Sequence, residues 1–112
     1  VRLCTDLWYP PARKDIGVMW DKDPRIPVPF IRNLSAMEGV CVGDNEPYAG
    51  RDKYGYTMEH HVVGGGLPQV LLELRQDRID THHGVKSMLE ILMPALGEIF
   101  DDPKLYRQAW FP

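Results

Sequence analysis

Residues 70–77 read VLLELRQD, and how this stretch is read decides the fold. Val70, Leu71, Leu72, Glu73 and Leu74 make a short run of strand length, entered through Pro68 after the turn formers Gly64–Gly66. A single carboxylate stands inside it. If both faces of the sheet are covered, burying Glu73 without a partner costs several kcal/mol, so it must be paired, protonated, or held at the strand's end facing a pocket. Arg75, two residues on, lies on the same side of the strand and could pair with it. Two readings stay open on these residues: a structural Glu73–Arg75 pair or a half-exposed edge strand, and a functional carboxylate. Ligands of open parallel sheets sit beyond the carboxyl ends of the strands, and Glu73 to Asp77 would be such an end.

Working outward, Ile16–Trp20 predicts a buried strand closed by Asp21, Asp23 and Pro24. Phe30, Ile31, Leu34 and Met37 recur at helical spacing, predicting a helix that starts near Pro27 or Pro29 and ends at Gly39. Val40–Val42 predicts a second strand, stopped by Gly43, Asp44 and Asn45. Residues 43–56 predict a long loop, and Thr57 can cap a short helix through Val63. From Gly84, the residues Val85, Met88, Leu89, Leu92, Leu96 and Ile99 trace one helical face, which Pro94 should bend or shift in register. A last turn starts at Asp102 or Pro103, and Leu105, Tyr106, Trp110 and Phe111 form an apolar tail. The first fifteen residues look irregular. This order predicts an α/β fold with a largely parallel sheet and flanking helices, continuous over residues 1–112.

Composition removes several classes of function. Thirteen Lys and Arg stand against sixteen Asp and Glu in 112 residues, a net charge of −3 with no basic stripe, so no nucleic-acid partner is expected. No apolar run approaches the ~20 residues of a membrane span, and no charged-then-apolar leader opens the chain. The chain therefore reads as soluble, unsecreted and cytoplasmic. Cys4 and Cys41 could in principle pair, but two cysteines are too few for a disulfide scaffold and buried free thiols are the favoured reading. Val1 in place of Met implies processing, or excision from something longer.

Other chemistry finds little support in the residues. His60 with His61 and His82 with His83 are adjacent pairs whose side chains diverge, so neither is a chelate and no metal site within the chain is expected. His61 is a candidate ligand contact, while His82 and His83 read as exposed turn residues. Ser35 and Ser87 lie in helical contexts without a nucleophile elbow. Gly64–Gly66 lacks the spacing of a phosphate loop.

Four strings, GVMWDKDPR (17–25), VGDNEPYAGRDKYGYT (42–57), HVVGGGLP (61–68) and VLLELRQD (70–77), follow one another in an order and spacing that resembles the C-terminal half of the N-formylglutamate amidohydrolase family. The resemblance covers roughly residues 16–100. It implies a zinc-carboxypeptidase-like α/β hydrolase, of which residues 1–112 would be a partial domain. In such an enzyme a metal-activated water attacks an amide carbon and a carboxylate on a central strand carries the proton to the leaving amine. The matching carboxylate is Glu73, whose apolar surroundings would suit a raised pKa. Arg75 could fork a substrate carboxylate, though a pair with Glu73 or a structural role is as compatible with the sequence. Asn45, Tyr48 and His61 match as pocket residues.

The same resemblance implies zinc, with ligands from segments before this region. A family His-Ser-Phe-Thr-Pro segment, aligned through Thr5, puts Arg2 where its His is expected, and an arginine cannot ligate zinc. No complete metal site is expected here. The leading expectation is an amidohydrolase acting on a small N-formyl or N-acyl, acidic amino acid, as a homo-oligomer or with a missing N-terminal half. The alternative is a non-catalytic truncated homologue serving as a binding or oligomerisation module, held together by exposed edges and by Trp110 and Phe111.

Overall fold

The computed structural model describes residues 14–45 and 65–112. Expectations for the first thirteen residues, for most of the 43–56 loop and for the 57–63 helix fall outside them. The described elements are β1 (Ile16–Met19), α1 (Pro27–Ser35), β2 (Val42–Asp44), β3 (Leu71–Leu74) and α2 (His82–Asp101), with 3₁₀ turns at Gln76–Arg78 and Pro103–Tyr106.

The three strands form one sheet in the order β2-β1-β3. β1 and β2 pair in parallel across the α1 crossover, with Ile16 opposite Val42. β3 runs antiparallel to β1, Ile16 facing Leu74 and Met19 facing Leu71. The expected largely parallel sheet is thus corrected to a mixed one. The physical reason lies in the connection from Asp44 to Leu71, which leaves and re-enters the sheet at the Met19 end; a return from the same end gives an antiparallel strand. β3 is an edge strand among the described residues, not a central one.

β2 also begins two residues later than expected. The Cys41 carbonyl accepts from the backbone N–H groups of Asp15 (2.8 Å) and Ile16 (3.3 Å), and its own N–H donates to the Asp15 carboxylate at 2.8 Å. That exchange occupies Cys41, so ladder pairing starts at Val42. Cys41 is buried as expected, but it is disulfide-bonded rather than a free thiol. The chain's other cysteine, Cys4, lies outside the described residues.

Proline at the start of α1 removes an N–H that would have no helical partner anyway. The helix ends at Ser35, where the Met37 N–H turns back to the Leu34 carbonyl at 3.1 Å; Gly39, expected as its end, instead supplies a left-handed turn at φ 76°. α2 starts earlier than expected, at His82, because the Thr81 hydroxyl caps it by accepting from the Gly84 N–H at 2.9 Å. His82 and His83 are exposed residues of its first turn.

α2 runs through Pro94 with Met88, Leu92, Ala95 and Ile99 all buried, so the register shift does not occur. These residues meet Ile16, Val18, Phe30, Leu34, Val40 and Leu105 in the core. Burying each large side chain there contributes about 2 kcal/mol. The buried face of α2 is rotated from the expected one, since Val85 and Leu89 point outward.

The C-terminal tail is pinned within the chain. Arg25 pairs with Asp23 at 2.6 Å, an interaction that raises the guanidinium's pKa through its hydrogen bond to that carboxylate. It also donates to the carbonyls of Gly66, Leu105 and Arg107 and stacks 5.5 Å from the Phe111 ring. The Ala109 N–H donates to the Gly66 carbonyl at 2.9 Å.

Two glycines of α2 should respond oppositely to alanine. A Cβ at Gly97 meets nothing within 4 Å, so Gly97→Ala should stabilise the protein by about 1 kcal/mol through helix propensity. A Cβ at Gly84 would lie 2.4 Å from the Arg78 carbonyl oxygen, so Gly84→Ala should lower the urea midpoint. Urea titrations of both variants read this difference in sign.

Candidate active site

Side chains alternate along β1, so Ile16 and Val18 face the helices while Gly17 and Met19 face the other way. Cross-strand partners share a face, which sets Gly43, Gly17 and Glu73 in a row across the far side of the sheet. Glu73 is exposed there. The carboxylate is therefore not buried in an apolar strand end; the half-exposed edge strand is what the structure shows. Gly17 and Gly43 in that row are buried, so the sheet face is covered there and Glu73 stands exposed at its β3 edge.

The expected position of Glu73 beyond the carboxyl ends of parallel strands is also corrected. Because β3 is antiparallel, its C-terminal end lies at the N-terminal ends of β1 and β2. Asn45 sits at the opposite end of the sheet, two strands away, which is about 10 Å at normal strand spacing. Its backbone is left-handed, φ 54°, a conformation asparagine tolerates. Its Oδ1 accepts from the Trp20 N–H and its own N–H donates to the Val18 carbonyl, both at 2.8 Å, while Asp44 accepts from the Trp20 indole at 2.8 Å. Asn45 thus braces the exit of β1. Tyr48 and His61, the other expected pocket residues, lie outside the described residues.

Arg75 stands two residues after Glu73, at β3's exit, and the carboxylates of Asp15 and Asp77 grip it. Its Nη1 lies 3.2 Å from Asp15 and its Nε 2.5 Å from Asp77. Arg78 reaches the same Asp15 oxygen at 2.9 Å. The 3₁₀ turn between them explains the convergence: side chains three residues apart eclipse in that geometry, so both guanidiniums project to one place. Asp15 itself is buried. Sequence reading passed over Asp15 and Arg78; the usable signal was an acidic residue abutting the apolar run of β1 and two arginines spaced i, i+3 after β3.

Zinc does not fit the described residues, since no three His, Cys, Asp or Glu side chains converge among them. No helix among them is long and apolar enough to cross a membrane.

Removing the buried carboxylate should be expensive because it takes a partner from two half-buried arginines and leaves the Cys41 N–H without its acceptor. Asp15→Ala should cost about 3 kcal/mol, and Asp15→Asn less, since the amide oxygen can still accept from Cys41. Denaturant midpoints measure both, and a loss under about 0.5 kcal/mol for Asp15→Ala would remove Asp15 from this role.

Comparison with known proteins follows the same outline. A family model described as N-formylglutamate amidohydrolase matches residues 4–79, well over half the chain. The fold resembles the crystal structure of gene product Atu2144 from Agrobacterium tumefaciens, with a TM-score of 0.69 and 24% identity. That match covers 78% of this chain and 34% of the other, so the chain spans about a third of that structure's length. No curated protein matches the chain.

Proposed function

The chain belongs to the N-formylglutamate amidohydrolase family, and from that premise we propose that it supplies the proton-transfer and substrate-contact part of an amidohydrolase acting on an N-formyl or other N-acyl, acidic amino acid. The observation that carries this reading is Glu73, the carboxylate of the family-like VLLELRQD segment, standing exposed on the β3 edge of the sheet in line with the buried Gly17 and Gly43. A carboxylate so placed is open to water and to a small substrate.

In the proposed reaction Glu73 takes a proton from the attacking water as its oxygen bonds to the acyl carbon. It then hands that proton to the amide nitrogen as the C–N bond breaks, releasing the free amino acid and formate or another carboxylate. Arg75 is the proposed charge partner for the substrate's acidic group, with Asp15 and Asp77 fixing how its guanidinium is presented. Asn45, Tyr48 and His61 complete the proposed contacts. Zinc dependence rests on the family resemblance, and its ligands would come from outside the described residues.

Formate release from N-formyl-glutamate, with and without added Zn²⁺, tests the reading. Glu73→Gln should lower kcat by about 100-fold or more while leaving the thermal midpoint unchanged, because the side chain is exposed. A wild-type chain that hydrolyses neither N-formyl nor N-acetyl acidic amino acids in the presence of zinc would favour the non-catalytic module instead.

A further inference from the structure

A cavity of about 460 Å³ opens between α1, α2 and the 3₁₀ turn at Pro103–Tyr106. The two helices run antiparallel beside it. Asn33 Nδ2 donates to the Ala95 carbonyl at 2.9 Å toward one end, and Arg25 Nη1 to the Leu105 carbonyl at 3.4 Å toward the other. The volume is that of a small-molecule site, and the buried Ile99 and Leu105 give it apolar wall. It lies on the helical side of the sheet, whereas Glu73 faces away from the helices, so it is separate from the proposed catalytic carboxylate.

Five charged side chains line this cavity, and two of them are already engaged. Arg25 is held by Asp23 and by backbone carbonyls, and Asp102 accepts from the Lys104 N–H at 2.9 Å. The other three are Arg32, Lys104 and Glu98. Their charged groups form no ion pair with one another or with any other described residue, although all three line one cavity. A simple anion placed there meets the repulsion of Glu98, and a simple cation that of Arg32 and Lys104. A ligand with two carboxylates and one ammonium complements all three charges. Asn33 adds to the ammonium end. Its Nδ2 is committed to the Ala95 carbonyl, so its Oδ1 is the acceptor it brings to the wall, and Ala95 stands one helical turn before Glu98 on the same side of α2.

We infer that this cavity binds a free acidic amino acid or a short acidic peptide. Glu98 and the Asn33 Oδ1 accept from its ammonium, Arg32 and Lys104 donate to its two carboxylates, and its aliphatic carbons lie against Ile99 and Leu105. An N-acylated amino acid has no ammonium and sets a neutral amide against Glu98. The site therefore prefers the free amino acid to the N-acyl substrates of the proposed hydrolysis. It uses neither Glu73 nor Arg75 and does not depend on that reaction.

Isothermal titration calorimetry of the 112-residue chain tests it, with L-glutamate and L-alanyl-L-glutamate as probes and glutarate and N-formyl-L-glutamate as ligands lacking the ammonium. The expected result is saturable binding of at least one probe, with Kd at least ~10-fold higher for its ammonium-free counterparts, because a charge-assisted hydrogen bond is lost. The tighter of the two probes tells a free amino acid from a peptide. Glu98→Gln should weaken the probe and leave glutarate no weaker, while Arg32→Ala and Lys104→Ala should each weaken both by about 10-fold. All three side chains are exposed, so thermal midpoints should hold. Glu73→Gln should bind as the wild type does, and a chain that binds the probes without hydrolysing any N-acyl substrate overturns the hydrolase reading alone. Three results overturn the present proposal: no saturable heat with either probe up to ~10 mM, glutarate binding as tightly as glutamate, or binding indifferent to Arg32→Ala and Lys104→Ala.

Discussion

The carboxylate of Asp15 ties the two outer strands to the central one at a single point. It is buried, which would cost several kcal/mol for a lone charge. It is offset here by the Cys41 N–H on one side and the Arg75 and Arg78 guanidiniums on the other. Its backbone joins in: the Asp15 N–H donates to Cys41 at 2.8 Å and the Arg75 N–H to the Asp15 carbonyl at 3.0 Å. β2 and β3 are thereby locked in register against β1. A slip of one residue along β3 would turn Glu73 toward the helices and Leu72 and Leu74 away from the core. The exposure of the proposed catalytic carboxylate therefore depends on a different, buried carboxylate at the entrance of the neighbouring strand β1, beside the exit of β3.

A second ionic node works the same way at longer range. Asp23 orients Arg25, whose guanidinium gathers carbonyls from Gly66, Leu105 and Arg107 and lies over Phe111. Gly66 is needed at that crossing: it is left-handed, and a Cβ would stand 2.7 Å from the Trp110 ring. The C-terminal tail is thus held by intramolecular contacts, while Tyr106 and Trp110 remain largely exposed on it.

Much of the fold was legible because hydrophobic period and punctuation agree locally. The apolar run at Ile16, the proline start of α1 and the long periodic segment of α2 each appear where the pattern put them, to within a few residues. The direction of β3 was not legible, since strand–helix alternation fits either sense and only the end of the sheet at which the chain re-enters decides it. The buried face of α2 was also misassigned. Its apolar residues cover a wide arc, and periodicity does not tell which part of that arc the three-stranded sheet and α1 will cover.

For the candidate site the division is similar. Sequence alone determined the family, through four linked motifs, and it singled out Glu73, Arg75 and Asn45, because residue types at fixed spacing are a one-dimensional property. Tertiary structure decided what surrounds them: Glu73 exposed beside two glycines, Arg75 gripped by Asp15 and Asp77, Asn45 bracing Trp20 at the opposite end of the sheet. Those environments arise from contacts between residues up to sixty positions apart. They depend on strand direction and register, which local periodicity does not encode.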